Sequence, residues 1–386
     1  MPNFVPDDGT GNEQLVVIGE APGRNENRER RPFVGAAGHR LLDWMNPVGL
    51  KRTDAYWTNV YPYQPLANKI ETVPRATLSP FIDDLHERLA RLTDPIVIVP
   101  TGNTALRALT NFAYFPWEPK KRGPAKHKIT VPGIFNHRGS IYSYTDLSDR
   151  VIKVIPTIHP AATFRAPKME KRCILDWRRI AEDLRFRELR LPKRTYYVPK
   201  TMDELHGHKD LLLSKTDAGC WPLVIDAEWL PGGFTLRVGF SVSSTWAVTI
   251  PTTEQYWGSK ADAYEAWQVV KELCESDIEK CLQHGHSDAY VLKRVHKITI
   301  RNYKWDTLAM HHLLDPNDDH DLAYLASIYT REPYWKDTHK DPEKVKMYAS
   351  NIDALYHYNG IDCCVERELF DILSEKLVEI GLMEAT

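Results

Sequence analysis

The stretch Leu223-Val224-Ile225-Asp226-Ala227-Glu228 constrains the fold of this chain more than any other. Three bulky apolar residues in a row suit a buried strand, and two carboxylates one residue apart stand at its end. Alternation along an extended chain points Asp226 and Glu228 to the same side. Two like charges held so close repel unless a proton or a cation lies between them. Hard divalent ions such as Mg²⁺ accept one or two carboxylates and keep positions open for phosphate oxygens, so the pair reads as a metal clamp. Standing alone, it reads equally as a solvated strand end.

A chain of 386 residues is long enough for two domains, each with its own core. The amino terminus has no basic stretch followed by an apolar one, which argues against a secretory signal. No apolar run approaches the ~18 residues of a membrane span, so no membrane partner is expected. Cysteines 173, 220, 274, 281, 363 and 364 form no C-x-x-C pair, which argues against a zinc ribbon and a disulfide framework and for a reducing cytoplasm. Residues 1–200 carry 32 Lys and Arg against 21 Asp and Glu, whereas residues 201–386 carry 18 against 31. A basic half suits a polyanionic partner; an acidic half suits metal ions or a solvated surface. The charged, proline-bearing run Arg185–Pro199 is the expected linker, giving domains at 1–190 and 191–386.

In the first half, strands are expected at Leu15–Ile18, ending at Trp57–Val60, at Pro95–Pro100 and at Val151–Ile155, with helical patterns between them. That alternation predicts a mostly parallel sheet with helices on both faces. Loops 19–23, 59–63, 101–103 and 156–165 then gather at the carboxyl ends of the strands, where such sheets place their sites. The polar, basic stretch Arg24–Arg31 reads as a loop. Taken singly, Phe33 reads as core and His159 as structural.

Taken in order, Gly19-Glu20-Ala21-Pro22-Gly23, Pro32-Phe33-Val34-Gly35, Thr58-Asn59-Val60, Arg138-Gly139 and His159-Pro160-Ala161 resemble the family 4 group of the uracil-DNA glycosylase superfamily, over roughly residues 14–185. The resemblance implies a three-layer αβα domain. It implies that Glu20 helps place the attacking water, Phe33 stacks on the flipped uracil and Asn59 bonds its Watson–Crick edge. His159 would stabilise the charge gathering on uracil O2. Each role suits its residue: a base needs a π-face, an amide reads donor and acceptor together, and an imidazole donates to a developing anion. Family members usually carry four cysteines around an iron–sulfur cluster. This half contains only Cys173, so no cluster is expected. The domain then either folds by local packing instead, or binds DNA as a non-catalytic module.

In the second half, β-like segments follow Asp226 at Phe234–Ser243 and Thr245–Ile250, with hairpin links. Asp288 begins a helical pattern, and Tyr358 and Asp362 are four apart, on one helix face. Asp226-x-Glu228, Asp288 and Tyr358-x₃-Asp362 resemble the motifs of the tyrosine-bearing branch of the DEDD exonuclease superfamily, over about residues 196–380, with phage DNA polymerase I-type proofreading domains the nearest flavour. Asp306-Thr307, His311-His312-Leu313-Leu314-Asp315-Pro316 and the Tyr-Trp-Lys after Glu332-Pro333 add to it. The resemblance implies a ribonuclease H-like α/β domain with a mixed sheet and two ions, Mg²⁺ or Mn²⁺. Asp226, Glu228 and Asp362 would hold one ion, and Asp226 and Asp288 the second, partly through water. The two would straddle the scissile phosphate while Tyr358 aims the water. Where the family usually has asparagine, four residues before the third carboxylate, stands His284, whose imidazole is expected to donate in its place.

The expected function is therefore a metal-dependent 3′–5′ exonuclease, fused to a domain that recognises or excises uracil. Its partners would be uracil-containing DNA and a single-stranded 3′ end, with RNA trimming as the alternative. A separate polymerase, and a host cytoplasm if the chain is phage-encoded, complete what the resemblance implies.

Overall fold

Two sheets organise the chain, one in each of two units: Met1–Leu191 with Arg331–Asp341, and Pro192–Thr330 with Pro342–Thr386. The computed structural model describes residues 2–115, 117–118, 121–122, 129–230, 232–336 and 352–383.

In the first unit the strands are β1 (Leu15–Gly19), β2 (Ala55–Asn59), β3 (Val97–Pro100), β6 (Tyr142–Thr145) and β7 (Val151–Val154), with β4 (Lys121–Arg122) and β5 (Ile129–Thr130) forming a separate small hairpin. The main sheet runs β2-β1-β3-β7-β6, parallel except for the antiparallel β6 at its edge. Strand alternation divides its two faces. Leu15 and Val17 pack with Trp44 and Met45 of α2 (Ala36–Met45) and with Cys173, Trp177 and Ile180 of α7 (Glu170–Asp183). Val16 and Ile18 pack with Leu78, Leu85 and Leu89 of α3 (Arg75–Arg91) and with Ala105 of α4 (Asn103–Leu109). The result is the three-layer αβα arrangement. A buried ion pair locks α7 to the sheet: Arg138 donates to Asp176, which also accepts from Thr157 Oγ1 at 2.8 Å.

Residues 24–29 form a short helix, α1, where the sequence reads as a loop. Helix propensity alone would not hold six residues; a tertiary anchor does. The Glu26 carboxylate accepts the Gly23 N–H at 3.1 Å and the Gly35 N–H at 2.7 Å. The segment beginning at Arg331 also packs within this unit. Its guanidinium straddles the Asp183 carboxylate at 2.6 and 3.0 Å, and the Tyr334 N–H bonds Ser140 Oγ at 3.1 Å.

The second unit has a six-stranded mixed sheet, order β13-β12-β9-β10-β11-β8. Here β8 is Thr195–Tyr197, β9 Leu223–Leu230, β10 Phe234–Ser243, β11 Trp246–Pro251, β12 Lys280–Leu282 and β13 Tyr303–Asp306. The β9-β10-β11 meander is antiparallel, and β12 joins β9 in parallel. Leu223, Ile225 and Ala227 face a core completed by α8 (Met202–Asp217) and α10 (Lys260–Glu275). The alternate residues Asp226 and Glu228 therefore face the other side. That side is covered by a 28-residue helix, Ile352–Glu379, designated α14 after α9 (Glu254–Trp257), α11 (His286–His296), α12 (Thr307–Leu314) and α13 (Leu322–Tyr329). In the first unit α5 is Ile134–His137 and α6 is Pro160–Thr163.

Candidate functional sites: a strand-end pocket and a carboxylate cluster

At the carboxyl ends of β1 and β2, Gly19 lies in register with Asn59, and the loops that follow wall a cavity of about 330 Å³. Glu20, Phe33, Asn59 and His159 all line it. Gly19 makes this closure possible: a Cβ there would stand 2.4 Å from Asn59 Oδ1 and 2.7 Å from Phe33 Cζ. Phe33 belongs to the core as well as to the pocket, with its ring centroid 5.2 Å from that of Trp57. Its backbone is left-handed, at φ 54°. A second cavity of about 560 Å³ adjoins the first, sharing Glu20, His159 and Ala161 and reaching Tyr114, Phe135 and Arg165.

Burial pushes the Glu20 carboxyl above its ordinary range; a hydrogen bond from Thr104 Oγ1 opposes the shift, and the Glu71 charge adds to it. Burial pushes the His159 imidazole down to about 4, against the Glu26 charge, so the ring is neutral at physiological pH. Its Nδ1 accepts the Ala161 N–H at 3.2 Å, which leaves Nε2 to carry the ring proton. Glu26 carries no role in the sequence analysis. Its carboxylate ties the loop bearing Glu20 to the loop bearing Phe33, and a Cβ at Gly23 or Gly35 would lie 2.8 or 2.9 Å from it.

The residues of this unit do not fit an iron–sulfur cluster. Cys173 is the one cysteine before residue 191, and it lies within the apolar core, where burial first and the Asp176 charge second push its thiol far up. One cysteine cannot supply the four thiolates that hold such a cluster.

In the second unit, ligand atoms of Asp226, Glu228 and Asp362 lie within 4.8 Å of one another. Strand β9 supplies the first two and α14 the third. Tyr358, one turn before Asp362, is buried; burial first, then the charges of Asp362, Glu228 and Asp226, hold its phenol protonated. Asp288, in the first turn of α11, lies outside the three-carboxylate group. Burial and the Glu228 charge push its carboxyl up, with Trp229 and the Ala227 backbone opposing. Three hard carboxylates converging in this way fit a divalent cation.

Two further residues, Arg237 and Asn359, stand at this site. Arg237 stands opposite Glu228 in the β9–β10 register, so both side chains share the α14 face. It is 2% exposed, and its charge acts on Tyr358. Asn359, wholly buried, donates from Nδ2 to Asp226 Oδ2 at 2.5 Å. Its spacing of three from Asp362 was a signal available in the sequence; the register of Arg237 was not. The Asp306 carboxylate receives the His284 and Gly285 backbone N–H groups, both at 3.0 Å. His284 has an exposed side chain and a φ of 55°, and its backbone N–H is what binds Asp306.

A pocket at the strand ends of an αβα sheet and a three-carboxylate cluster on a mixed sheet are the chain's two candidate sites. Residues 6–182 match the family described as the uracil DNA glycosylase superfamily, and residues 212–378 match a 3′–5′ exonuclease family. The type-4 uracil-DNA glycosylase of Archaeoglobus fulgidus is 32% identical over 182 residues, covering 47% of this chain and 81% of that protein. A DNA polymerase of Bacillus phage SP01 is 27% identical over 169 residues, 44% of this chain but 15% of that protein. Among solved structures, the Aedes aegypti Nibbler exonuclease domain is 14% identical over 50% of this chain and 94% of that one, with a TM-score of 0.38. The chain belongs to the uracil-DNA glycosylase superfamily, in its type-4 branch, through its first half. A 3′–5′ exonuclease domain is fused to it.

Proposed function

We propose that the chain excises uracil from DNA at its first site and shortens 3′ ends at its second, with the functional boundary between residues 190 and 191. The observation that carries the nuclease reading is the convergence of Asp226, Glu228 and Asp362 within 4.8 Å, beside a phenol kept protonated. Two ions, Mg²⁺ or Mn²⁺, suit this donor set: Asp226, Glu228 and Asp362 would hold one, and Asp226 with Asp288 the other. When bound, such cations supply water activation and charge neutralisation for phosphodiester hydrolysis. The chain's own part is to place them and to orient the water. Tyr358 keeps its O–H and can donate to or accept from that water, and Arg237 adds a fixed positive charge beside it.

At the first site, Phe33 offers a ring face and Asn59 an amide to a base turned out of the strand. The neutral His159, with its proton on Nε2, can donate to the oxygen that gains charge as the glycosidic bond breaks, without surrendering a charge of its own to desolvation. Glu20, raised in basicity by burial, suits the placing of water. The departure at Cys173 favours a second reading, in which this domain only binds DNA. Release of free uracil from a uracil-containing oligonucleotide supports excision; binding without release supports the second reading. The match to a stretch of a phage polymerase supports action beside a separate polymerase, in a host cytoplasm. A DNA-versus-RNA comparison tests the nuclease substrate.

A further inference from the structure

Helix α14 passes close against the second sheet at Gly239, which lies opposite Asp226 in the β9–β10 register. A Cβ at that position would sit 2.4 Å from Asn359 Oδ1 and 2.5 Å from Cys363 Sγ, both side chains of α14. Asn359 and Cys363 are 0% exposed, so neither can swing aside into solvent. The missing side chain at 239 is what lets Asn359 reach across to the strand. Its Nδ2 donates twice to the same residue, to Asp226 O at 3.1 Å and to Asp226 Oδ2 at 2.5 Å. Asn359 Oδ1 is buried and accepts no hydrogen bond among the described residues.

An amide in such a place is costly as packing, because its unpaired oxygen has lost its water. An apolar side chain with the same number of heavy atoms, such as leucine, would leave no unpaired polar atom there. The two donors explain the amide: together they restrain the Asp226 side chain and neutralise part of the charge on Oδ2. The orientation of the amide follows from the same contacts, since its oxygen turned toward the carboxylate would repel it.

We propose that Asn359 is a positioning residue of the exonuclease site, holding the Asp226 carboxylate in the geometry in which it meets a cation shared with Glu228 and Asp362. Gly239 is the backbone position that permits this reach. The inference rests on reading Asp226 as a metal ligand. It goes beyond that reading by naming what sets the ligand's orientation.

The test is isothermal titration of the full chain with Mn²⁺, alongside 3′–5′ degradation of a labelled single strand across Mn²⁺ concentrations. Asn359→Leu removes both donors and keeps the number of side-chain heavy atoms. The expected result is Mn²⁺ binding weakened about 10- to 100-fold, the range typical for partners of metal ligands. The half-saturating Mn²⁺ concentration should rise in step, and kcat at saturating metal should stay within about threefold of the parent. Should Asn359→Leu fail to fold by circular dichroism, Asn359→Ala gives the same readout without added bulk. A folded variant that binds Mn²⁺ like the parent, or that loses kcat with no change in metal dependence, overturns the proposal. Asp226→Ala runs in parallel. If it too binds Mn²⁺ normally, the reading of the metal site is at fault; if it alone loses binding, only the positioning role of Asn359 fails.

Discussion

Substituting Glu26 by glutamine tests how the base pocket is held together. The carboxylate accepts two backbone N–H groups, from Gly35 at 2.7 Å and Gly23 at 3.1 Å, and its side chain is buried. Hydrogen bonds to charged groups contribute about 1.5–3 kcal/mol each. Glutamine keeps one acceptor oxygen and turns an amide donor toward the other N–H, so one of the two bonds is lost. The expected cost is about 2 kcal/mol, which lowers the melting temperature of a domain of this size by about 4–8 °C. Alanine would strip both amides of their acceptor and take a large part of an ordinary domain's stability, so glutamine is the more informative change. Gly23 and Gly35 close the loops that carry Glu20 and Phe33, and loosening them should slow single-turnover uracil release by about tenfold. Calorimetry and release from a uracil-containing oligonucleotide read the two effects. Degradation of a uracil-free strand should be unchanged. A Glu26→Gln protein that melts and excises like the parent refutes the bridging role, and an equal loss of both activities shows general damage instead.

Phe33→Leu keeps apolar volume in the core and removes the ring face. Because base stacking is worth about 1–3 kcal/mol, uracil release should fall about tenfold or more while binding to undamaged DNA holds within about twofold; equal losses point to packing alone. His137 is buried, with its imidazole pushed down by burial to about 4, so the folded protein resists the proton that the unfolded chain accepts below about 6.5. Stability from this group is present above that value and is lost as pH falls toward 4. His137→Gln should therefore shrink the fall in unfolding free energy between pH 7 and pH 5 by about 1–2 kcal/mol, measured by denaturant titration at both pH values; an unchanged fall contradicts it. Glu366 lies buried on α14 among the charges of Asp226, Asp306, Asp288 and Asp362, and burial raises its carboxyl well above the usual range. That penalty grows as pH rises above the unfolded value, so Glu366→Gln should raise the melting temperature at pH 8 by at least about 2 °C, with the gain vanishing at pH 4; equal shifts at both values would rule out titration as the cause.

Much of the fold was legible because each sheet announces itself through short apolar runs closed by polar turns. Leu15–Ile18 lies in a strand whose end opens onto the first pocket, whereas Leu223–Ile225 begins a strand that runs on to Leu230, so Asp226 and Glu228 lie within it rather than at its end. The pairing of Tyr358 with Asp362 needed only helical spacing, and α14 supplies it. What escaped the sequence depends on contacts between distant segments. Residues 24–29 look like a charged loop because the force that folds them is the grip of Glu26 on Gly23 and Gly35, not local propensity. Arg237 reaches the catalytic face through a strand register that shifts between Thr235 and Arg237, which no periodicity reveals. His284 was read by its side-chain chemistry, whereas the fold uses its backbone N–H. Arg331, just before the Glu332-Pro333 read among the exonuclease motifs, makes its ion pair with Asp183 in the first unit, since a carboxylate partner 148 residues away leaves no local trace.

The claim at the centre of this account is that one chain holds two chemically independent sites. The most direct measurement uses one single-stranded oligonucleotide with an internal uracil and a labelled 3′-terminal region, incubated with the protein in Mg²⁺ and again in EDTA, with free uracil and strand length followed together. On the proposed reading, breaking the glycosidic C–N bond calls on His159 and needs no cation, whereas breaking the P–O bond depends on what Asp226, Glu228 and Asp362 hold. EDTA should stop strand shortening and leave uracil release at its Mg²⁺ rate. Loss of both activities in EDTA, or shortening that continues without metal, would contradict it.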